Sequence, residues 1–262
     1  MKSKRFYILL MSLLLTIGFF VVVNQENICQ YVANIQAKNV PEPILYNVQE
    51  QLVQSIHKVM PSIVYIKNDT KQWSGSGVAV TRDIILTARH VAEGGKSFTI
   101  MLNDGNDIKA SRAILSKKYD FAFIKVDRPI LKPVRMGITR GCKVGQMVFA
   151  IGSPYGKMNF NSATFGIISG FNRNCDELGE SYGWSVTFTT DTAGHPGNSG
   201  CPVFTLDGVV RGILVGGHSP VLIYCIPVDL FIKDHSTIEM MFNQDAYYVE
   251  EAIDLDYEEC PY

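Results

Sequence analysis

A chain of 262 residues, 47% hydrophobic and 19% charged, holds enough apolar material for one large or two small globular units and is too apolar to stay disordered. Its formal net charge of −1 provides no electrostatic footprint for nucleic acid. The 5 histidines and 6 cysteines make no C-x-x-C or H-E-x-x-H spacing, so no metal site is expected, and nothing in the chain calls for another cofactor.

In chain order, Lys2, Lys4 and Arg5 precede an uncharged run from Phe6 to Val23. Such a pattern is a secretion signal or a membrane anchor, and it is set aside before fold reasoning. The run is long for a signal and just reaches spanning length. Val23-Asn24-Gln25-Glu26 is a poor cleavage site and Ile35-Gln36-Ala37 lies far downstream, so an uncleaved anchor is favoured over secretion after cleavage. The basic residues before the run put the N-terminus in the cytoplasm and the rest outside. Disulfides are permitted there, with the pairing of Cys29, Cys142, Cys175, Cys201, Cys225 and Cys260 left open.

Residues 24–47 are polar, broken by Pro41 and Pro43, and suit a linker. From Val48 to Met60 the residues Leu52, Ile56 and Val59 recur at helical spacing, and Pro61 ends the helix. Short β-branched runs follow, at Ser62–Lys67, Gly77–Val80, Ile84–Ala88, Phe98–Leu102, Ile108–Leu115 and Phe121–Val126, with turn residues between them. Asp127–Lys143 reads as a connection. Further runs lie at Met147–Ile151, Ser162–Phe171, Trp184–Thr190, Cys201–Thr205, Val209–Val215 and Val221–Ile226, with a hairpin turn at Leu206-Asp207-Gly208. Six strands, a connection and six strands predict an all-β fold of two antiparallel six-stranded β-barrels side by side. Pro227–Phe242 could form a helix, and the acidic residues from Glu250 to Glu259 read as a solvated tail.

The organising stretch is Asp191-Thr192-Ala193-Gly194-His195-Pro196-Gly197-Asn198-Ser199-Gly200-Cys201. A serine between glycines before a strand is what a serine nucleophile with an oxyanion hole requires, since Gly197 lets the backbone turn its N–H groups toward a carbonyl oxygen. Gly-Asn-Ser-Gly alone is also ordinary turn chemistry. Upstream, His90 ends one apolar run and Asp120 opens another, which supplies a base and an orienting carboxylate in the order His, Asp, Ser. His90 and Asp120 fall in the first barrel and Ser199 in the second, so the site would form at their junction. The rival order, Ser199 then Asp207 or Asp229 then His218 or His235, belongs to α/β-hydrolases. The string here is G-x-S-x-C without the elbow's last glycine, and no strand–helix alternation surrounds it.

Further strings carry a resemblance. They are Val59-Met60-Pro61-Ser62-Ile63-Val64, Gly75-Ser76-Gly77, Ile85 through Val91, Asp120 through Val126, Ile151-Gly152-Ser153-Pro154-Tyr155-Gly156, Gly166-Ile167-Ile168-Ser169, Thr190 through Cys201, and Cys225-Ile226-Pro227. In this order, over roughly residues 50–230, the chain resembles the protease domain of the HtrA/Deg family, bacterial trypsin-like serine proteases. The resemblance implies a chymotrypsin/trypsin-like fold with His90 as base, Asp120 as orienting acid and Ser199 as nucleophile. It places the oxyanion hole at Gly197, Asn198 and Ser199, with the N–H groups of Gly197 and Ser199 as donors. The specificity pocket would have Ala193 as its floor and Ile213, Leu214 and Val215 as its walls, while Asp191 faces away. Such a pocket predicts cleavage after Val, Ala, Leu or Ile and rejection of Lys and Arg. Three departures stand out: Cys201 in place of a glycine, His195 in place of an asparagine, and no PDZ domain after the protease domain.

The expected organisation is a stub and anchor at 1–23, a linker at 24–47, a protease domain at 48–232 and an acidic tail at 233–262. The expected function is a membrane-tethered serine endopeptidase acting outside the cytoplasm on unfolded polypeptide, with no nucleic-acid partner and with homo-oligomerisation left open. The alternative is a trypsin-fold binding or chaperone-like module that does not cleave. Trypsin-like zymogens mature when a freed N-terminus reaches an acidic residue beside the nucleophile. The neighbour here is the neutral Asn198, so activity is expected without clipping.

Overall fold

The computed structural model describes residues 27, 30, 44–173, 183–230, 242 and 248–249. The chain divides into two compact units, residues 1–50 and 51–262. The anchor expected at 1–23 and most of the expected tail lie outside the described residues. Among the described residues no helix is long and apolar enough to cross a membrane.

Helix α1 (Ile44–Val59) begins before the expected Val48, since nothing in Ile44-Leu45-Tyr46-Asn47 breaks a helix. Within the second unit its expected face is the one that packs: Leu52 and Ile56 lie against the core and Val59 is buried. Ser55 Oγ donates to the carbonyl oxygen of Leu206. Met60–Ser62 then forms a 3-10 turn with Pro61 near its start, where a missing N–H costs nothing.

Six strands follow: β1 (Ile63–Asn68), β2 (Trp73–Ala79), β3 (Ile84–Thr87), β4 (Phe98–Met101), β5 (Asp107–Ser116) and β6 (Ala122–Val126). Their order is β5-β4-β1-β2-β3-β6, and pairing of β5 with β6 closes the barrel. β2 starts at Trp73, before the expected Gly77. Trp73-Ser74-Gly75-Ser76 lacks an alternating apolar signal, yet its backbone pairs with β1 through Tyr65↔Ser76 and Asn68↔Trp73. A short helix, α2 (Arg89–Ala92), follows β3, and β7 (Arg135–Met136) lies in the connection.

The second set is β8 (Met147–Gly152), β9 (Ser162–Arg173), β10 (Thr187–Thr190), β11 (Pro202–Thr205), β12 (Val209–Ser219) and β13 (Leu222–Pro227). The order is β11-β8-β9-β10-β13-β12, closed by β11 against β12. Two closed six-stranded antiparallel barrels are therefore present, as the strand rhythm predicts. β7 adds to β12 in parallel and β14 (Tyr248–Val249) adds to β5 in parallel. Of the helix expected at Pro227–Phe242, a 3-10 turn at Val228–Leu230 and a helical Phe242 are described.

Strand alternation divides the second barrel's side chains between two cores. One cluster fills the first barrel with Ile63, Ile66, Ile85, Phe98 and Ile100 and crosses the junction to Phe149, Phe204, Ile213, Val215 and Ile226. Phe149 and Phe204 stack there, with ring centroids 5.0 Å apart. The other cluster holds Val148, Ala150, Ile168, Phe188, Cys201, Val203, Leu214, Ile223 and Cys225. Burying one such side chain contributes about 1.5–3 kcal/mol, so the shared first cluster ties the two barrels firmly together.

Candidate active site

The site is built where β2, β3 and α2 of the first barrel meet the loop before β11. His90 sits on α2, one turn of helix that Asn68 Nδ2 holds by donating to the carbonyls of Val91 at 3.1 Å and Glu93 at 3.3 Å. Asp120 ends a turn after β5, in which the Tyr119 N–H donates to Ser116 Oγ. Arg89, beside His90 in sequence, donates from Nη1 to the carbonyl oxygens of Ser116 and Lys117. The residue next to the histidine thus fixes the turn that presents the aspartate.

His90 Nδ1 lies 2.8 Å from Asp120 Oδ2, and the His90 backbone N–H donates to Asp120 Oδ1 at 3.1 Å. The His90 side chain is 25% exposed and that of Asp120 is fully buried. A buried carboxylate needs such donors, because burial without them costs several kcal/mol. A third donor was not anticipated from sequence: Trp184 Nε1 donates to Asp120 Oδ2 at 2.9 Å.

Ser199 is held by the first barrel as much as by its own. The Ser76 N–H donates to the Ser199 carbonyl at 2.8 Å, and Ser76 Oγ donates to the Gly197 carbonyl at 2.8 Å. Ser76 Oγ also accepts the Ser153 N–H at 2.9 Å, and the Ser76 carbonyl accepts from Thr87 Oγ1 at 2.7 Å. Contact this close leaves no room for side chains. A Cβ at Gly200 would lie 2.2 Å from Thr87 Oγ1 and 2.3 Å from the Ser76 carbonyl oxygen, at a φ of 84°. Ser76 is visible in sequence inside Gly75-Ser76-Gly77, but nothing there signals its bridging role.

Of the three loop amides, that of Asn198 donates to the His195 carbonyl at 2.9 Å. Among the described residues the N–H groups of Gly197 and Ser199 donate to no acceptor. Gly197 has a φ of 97°, a backbone conformation that suits glycine. The Pro196 carbonyl accepts the Tyr155 N–H at 2.6 Å, and Tyr155 Oη lies 3.2 Å from His195 Nδ1. His195 thus stands on the rim, tied to the Gly152–Asn161 loop. Asn198 is buried with its Oδ1 unpartnered, and a Cβ at Gly152 would fall 2.7 Å from that oxygen.

The pocket side differs in part from expectation. Leu214 approaches Gly194 and lies in the second cluster, whereas Ile213 and Val215 point to the opposite face of β12 and join the junction cluster. A period of two forbids three consecutive strand residues from sharing one wall. Ile223 of β13 was missed: its δ-methyl lies 2.5 Å from where a Cβ at Gly194 would be and 2.6 Å from one at Gly217. Ala193 is half-buried beside these residues, and Asp191 Oδ1 accepts the Ile167 N–H at 2.6 Å, turned toward β9.

Cys201, 1% exposed, packs among the second cluster's apolar side chains, so its departure from glycine is filled by the core. Burial pushes its thiol up to about 12 and, with Cys201 nearby, pushes that of Cys225 well above the usual range. Burial raises Cys142 as well, and all three thiols are free. Cys29, Cys175 and Cys260 lie outside the described residues. Among the described residues no group of His, Cys, Asp and Glu is arranged to hold a metal ion.

Two closed barrels with a His–Asp pair on one and a glycine-flanked serine on the other define the serine peptidase architecture of trypsin. The family model of the trypsin-like peptidase domain matches residues 75–213, and the chain belongs to that family. It is 39% identical over 179 residues to the "Probable periplasmic serine endoprotease DegP-like" of Halomonas elongata, covering 65% of this chain and 36% of that protein. It is 34% identical over 151 residues to the "Serine protease Do-like HtrA" of Bacillus subtilis, covering 55% of this chain and 34% of that one. The chain thus spans about a third of the length of these curated relatives. Among solved structures, "HtrA-type protease AlgW with tripeptide" superposes with a TM-score of 0.65 at 24% identity, over 74% of this chain and 64% of that one. "Crystal structure of Deg5" does so with 0.59 at 27%, over 73% and 92%. The HtrA-like reading of the sequence is borne out.

Proposed function

We propose that the chain is a serine endopeptidase that hydrolyses peptide bonds of unfolded polypeptides outside the cytoplasm, held to a membrane by residues 1–23. In this reading the protease domain covers residues 48–232, with 24–47 as a linker and 233–262 as an acidic tail. The observation that carries it is the 2.8 Å His90–Asp120 pair facing a nucleophile loop whose Gly197 and Ser199 amides are undonated. With Nδ1–H donated to Asp120, Nε2 of His90 is the acceptor for the Ser199 hydroxyl proton. Oγ of Ser199 attacks the carbonyl carbon, and the oxyanion is received by the N–H groups of Gly197 and Ser199. Collapse expels the amine, which takes the proton from His90. Water, deprotonated by the same histidine, then hydrolyses the acyl-enzyme.

The substrate side rests on the pocket around Ala193, Gly194, Leu214 and Ile223. Ile223 fills the space between Gly194 and Gly217, which leaves a shallow apolar recess without a carboxylate. Such a recess favours Ala and Val before the scissile bond, accepts Leu and Ile less readily, and rejects Lys and Arg. The periplasmic serine endoprotease among the relatives supports an extracytoplasmic peptidase, and the tripeptide of the AlgW structure supports a polypeptide substrate.

The test is digestion of casein by the full chain beside its Ser199→Ala and His90→Ala forms. Each substitution should lower kcat on the order of 10⁴–10⁶-fold, with the double variant little worse, because the triad acts as a unit. Cleavage by Ser199→Ala would refute the assignment. A wild-type chain that binds casein without cutting it would select the silent binding module instead.

A further inference from the structure

We infer that Trp184 is the positioning residue of the catalytic acid: its indole N–H locks the Asp120 carboxylate in place against His90. This rests on the reading of His90, Asp120 and Ser199 as a triad.

Asp120 accepts three N–H groups, and two of them converge on one oxygen. Oδ2 takes His90 Nδ1 at 2.8 Å and Trp184 Nε1 at 2.9 Å, while Oδ1 takes the His90 backbone N–H at 3.1 Å. His90 holds both oxygens from α2 of the first barrel, and the indole, just before β10 of the other barrel, braces Oδ2 from a second element. An indole nitrogen is a donor only and does not titrate, so it never competes for the imidazole proton.

The ring itself is fixed by a fitted seat. A Cβ at Gly216 would lie 2.2 Å from Cη2 and 2.8 Å from Cζ2 of Trp184, so the missing side chain of β12 is what admits the ring. Tyr224 packs against it, centroids 6.1 Å apart at 39°. A ring serving only to fill this seat would have no need to direct its N–H at a fully buried carboxylate. The direction of the effect follows from charge. The indole draws on the negative charge of Oδ2, so less is left to stabilise an imidazolium at His90. Removing the N–H should favour that imidazolium, and the acid limb of the pH–rate profile should move to higher pH.

The experiment measures kcat, KM and the pH profile of the full chain on casein, with Trp184→Phe and with Trp184 replaced by benzothienylalanine. The latter keeps the ring's shape and exchanges N–H for sulfur. The expected result is a fall in kcat of about 10- to 100-fold, the loss of one charge-assisted hydrogen bond, with KM within about threefold. The acid limb should move upward in both variants. Unchanged kcat and an unmoved limb in the benzothienylalanine protein would overturn the proposal. So would a lowered kcat with an unmoved limb, which is what a packing role predicts. Should Trp184→Phe fail to fold, or the wild type cleave nothing, the indole resonances of ¹⁵N-tryptophan-labelled protein still decide. The Trp184 N–H signal must shift in Asp120→Asn, and a signal identical to wild type would overturn the proposal whatever the activity.

Discussion

Ile223→Ala tests the pocket most directly. The δ-methyl of Ile223 occupies the space that side chains at Gly194 or Gly217 would otherwise fill, and Leu214 Cδ1 lies 3.3 Å from the same Gly194 position. Alanine removes three carbons from that space. At about 0.8 kcal/mol per carbon transferred from water, each is worth about fourfold in kcat/KM to a substrate side chain that takes its place. Three carbons then set an upper limit of about 60-fold on the gain of Leu or Met over Ala at the residue before the scissile bond. Ile223→Val removes only the δ-methyl and should yield about fourfold. The cavity should lower stability by about 2–5 kcal/mol in the alanine form and about 0.5–1.5 kcal/mol in the valine form, so the valine form guards against misfolding. The assay is kcat/KM for peptides differing only at that residue, with cut sites in casein mapped by mass spectrometry. Lys and Arg should stay excluded in every form, since Asp191 is turned to the Ile167 N–H. A Leu-to-Ala ratio that changes less than about twofold in folded, active Ile223→Ala would refute the pocket model.

Other consequences are as open to measurement. Ser76→Ala strands the buried Ser153 N–H and frees the Gly197 carbonyl, so kcat should fall about tenfold with little change in KM; an unchanged kcat would show that the bridge is not needed. Iodoacetamide at neutral pH should leave Cys201 and Cys225 unmodified in the folded protein, because burial keeps both thiols protonated; rapid labelling of Cys201 by mass spectrometry would contradict that. Intact full-length chain should cleave casein without prior clipping, and a chain inert until cut would contradict the reading of Asn198.

Much of the fold was legible because its signals are local. Residues such as Ile63, Ile85, Phe98 and Val203 alternate or cluster at strand length, and Leu206-Asp207-Gly208 closes its hairpin with Gly208 at a φ of 73°. Ser74–Ser76 escaped because small residues pair through backbone alone, which leaves no pattern in the side chains. The candidate triad was legible through three short strings, but its supports were not. Ser76, Trp184 and Ile223 act across barrels or strands distant in sequence, and a single chain carries no sign of which serine or indole will face which partner. Ile213 and Val215 join the junction cluster while Leu214 joins the second, a division that follows from strand alternation.

In the proposed reading, the loop around Ser199 also accounts for the neutral Asn198 beside the nucleophile. An acidic residue at that position would need a buried cation to offset its desolvation, and an inserted amine supplies one in clipped zymogens. Asn198 carries no charge, so the need does not arise, and its amide is already held by the His195 carbonyl. The peptide planes on either side of Gly197 are fixed from outside the loop: Tyr155 N–H holds the Pro196 carbonyl and Ser76 Oγ holds the Gly197 carbonyl. The Asn198 carbonyl, in the same peptide plane as the Ser199 amide, accepts the Cys201 N–H at 2.9 Å, so each of these planes is held through its carbonyl, and the Gly197 and Ser199 amides meet no acceptor among the described residues. Turning the Gly197 amide over would cost the hydrogen bond from Tyr155 N–H to the Pro196 carbonyl, about 0.5–1.5 kcal/mol. In the proposed reading, the orientation of the oxyanion donors is therefore a property of these loops and β2.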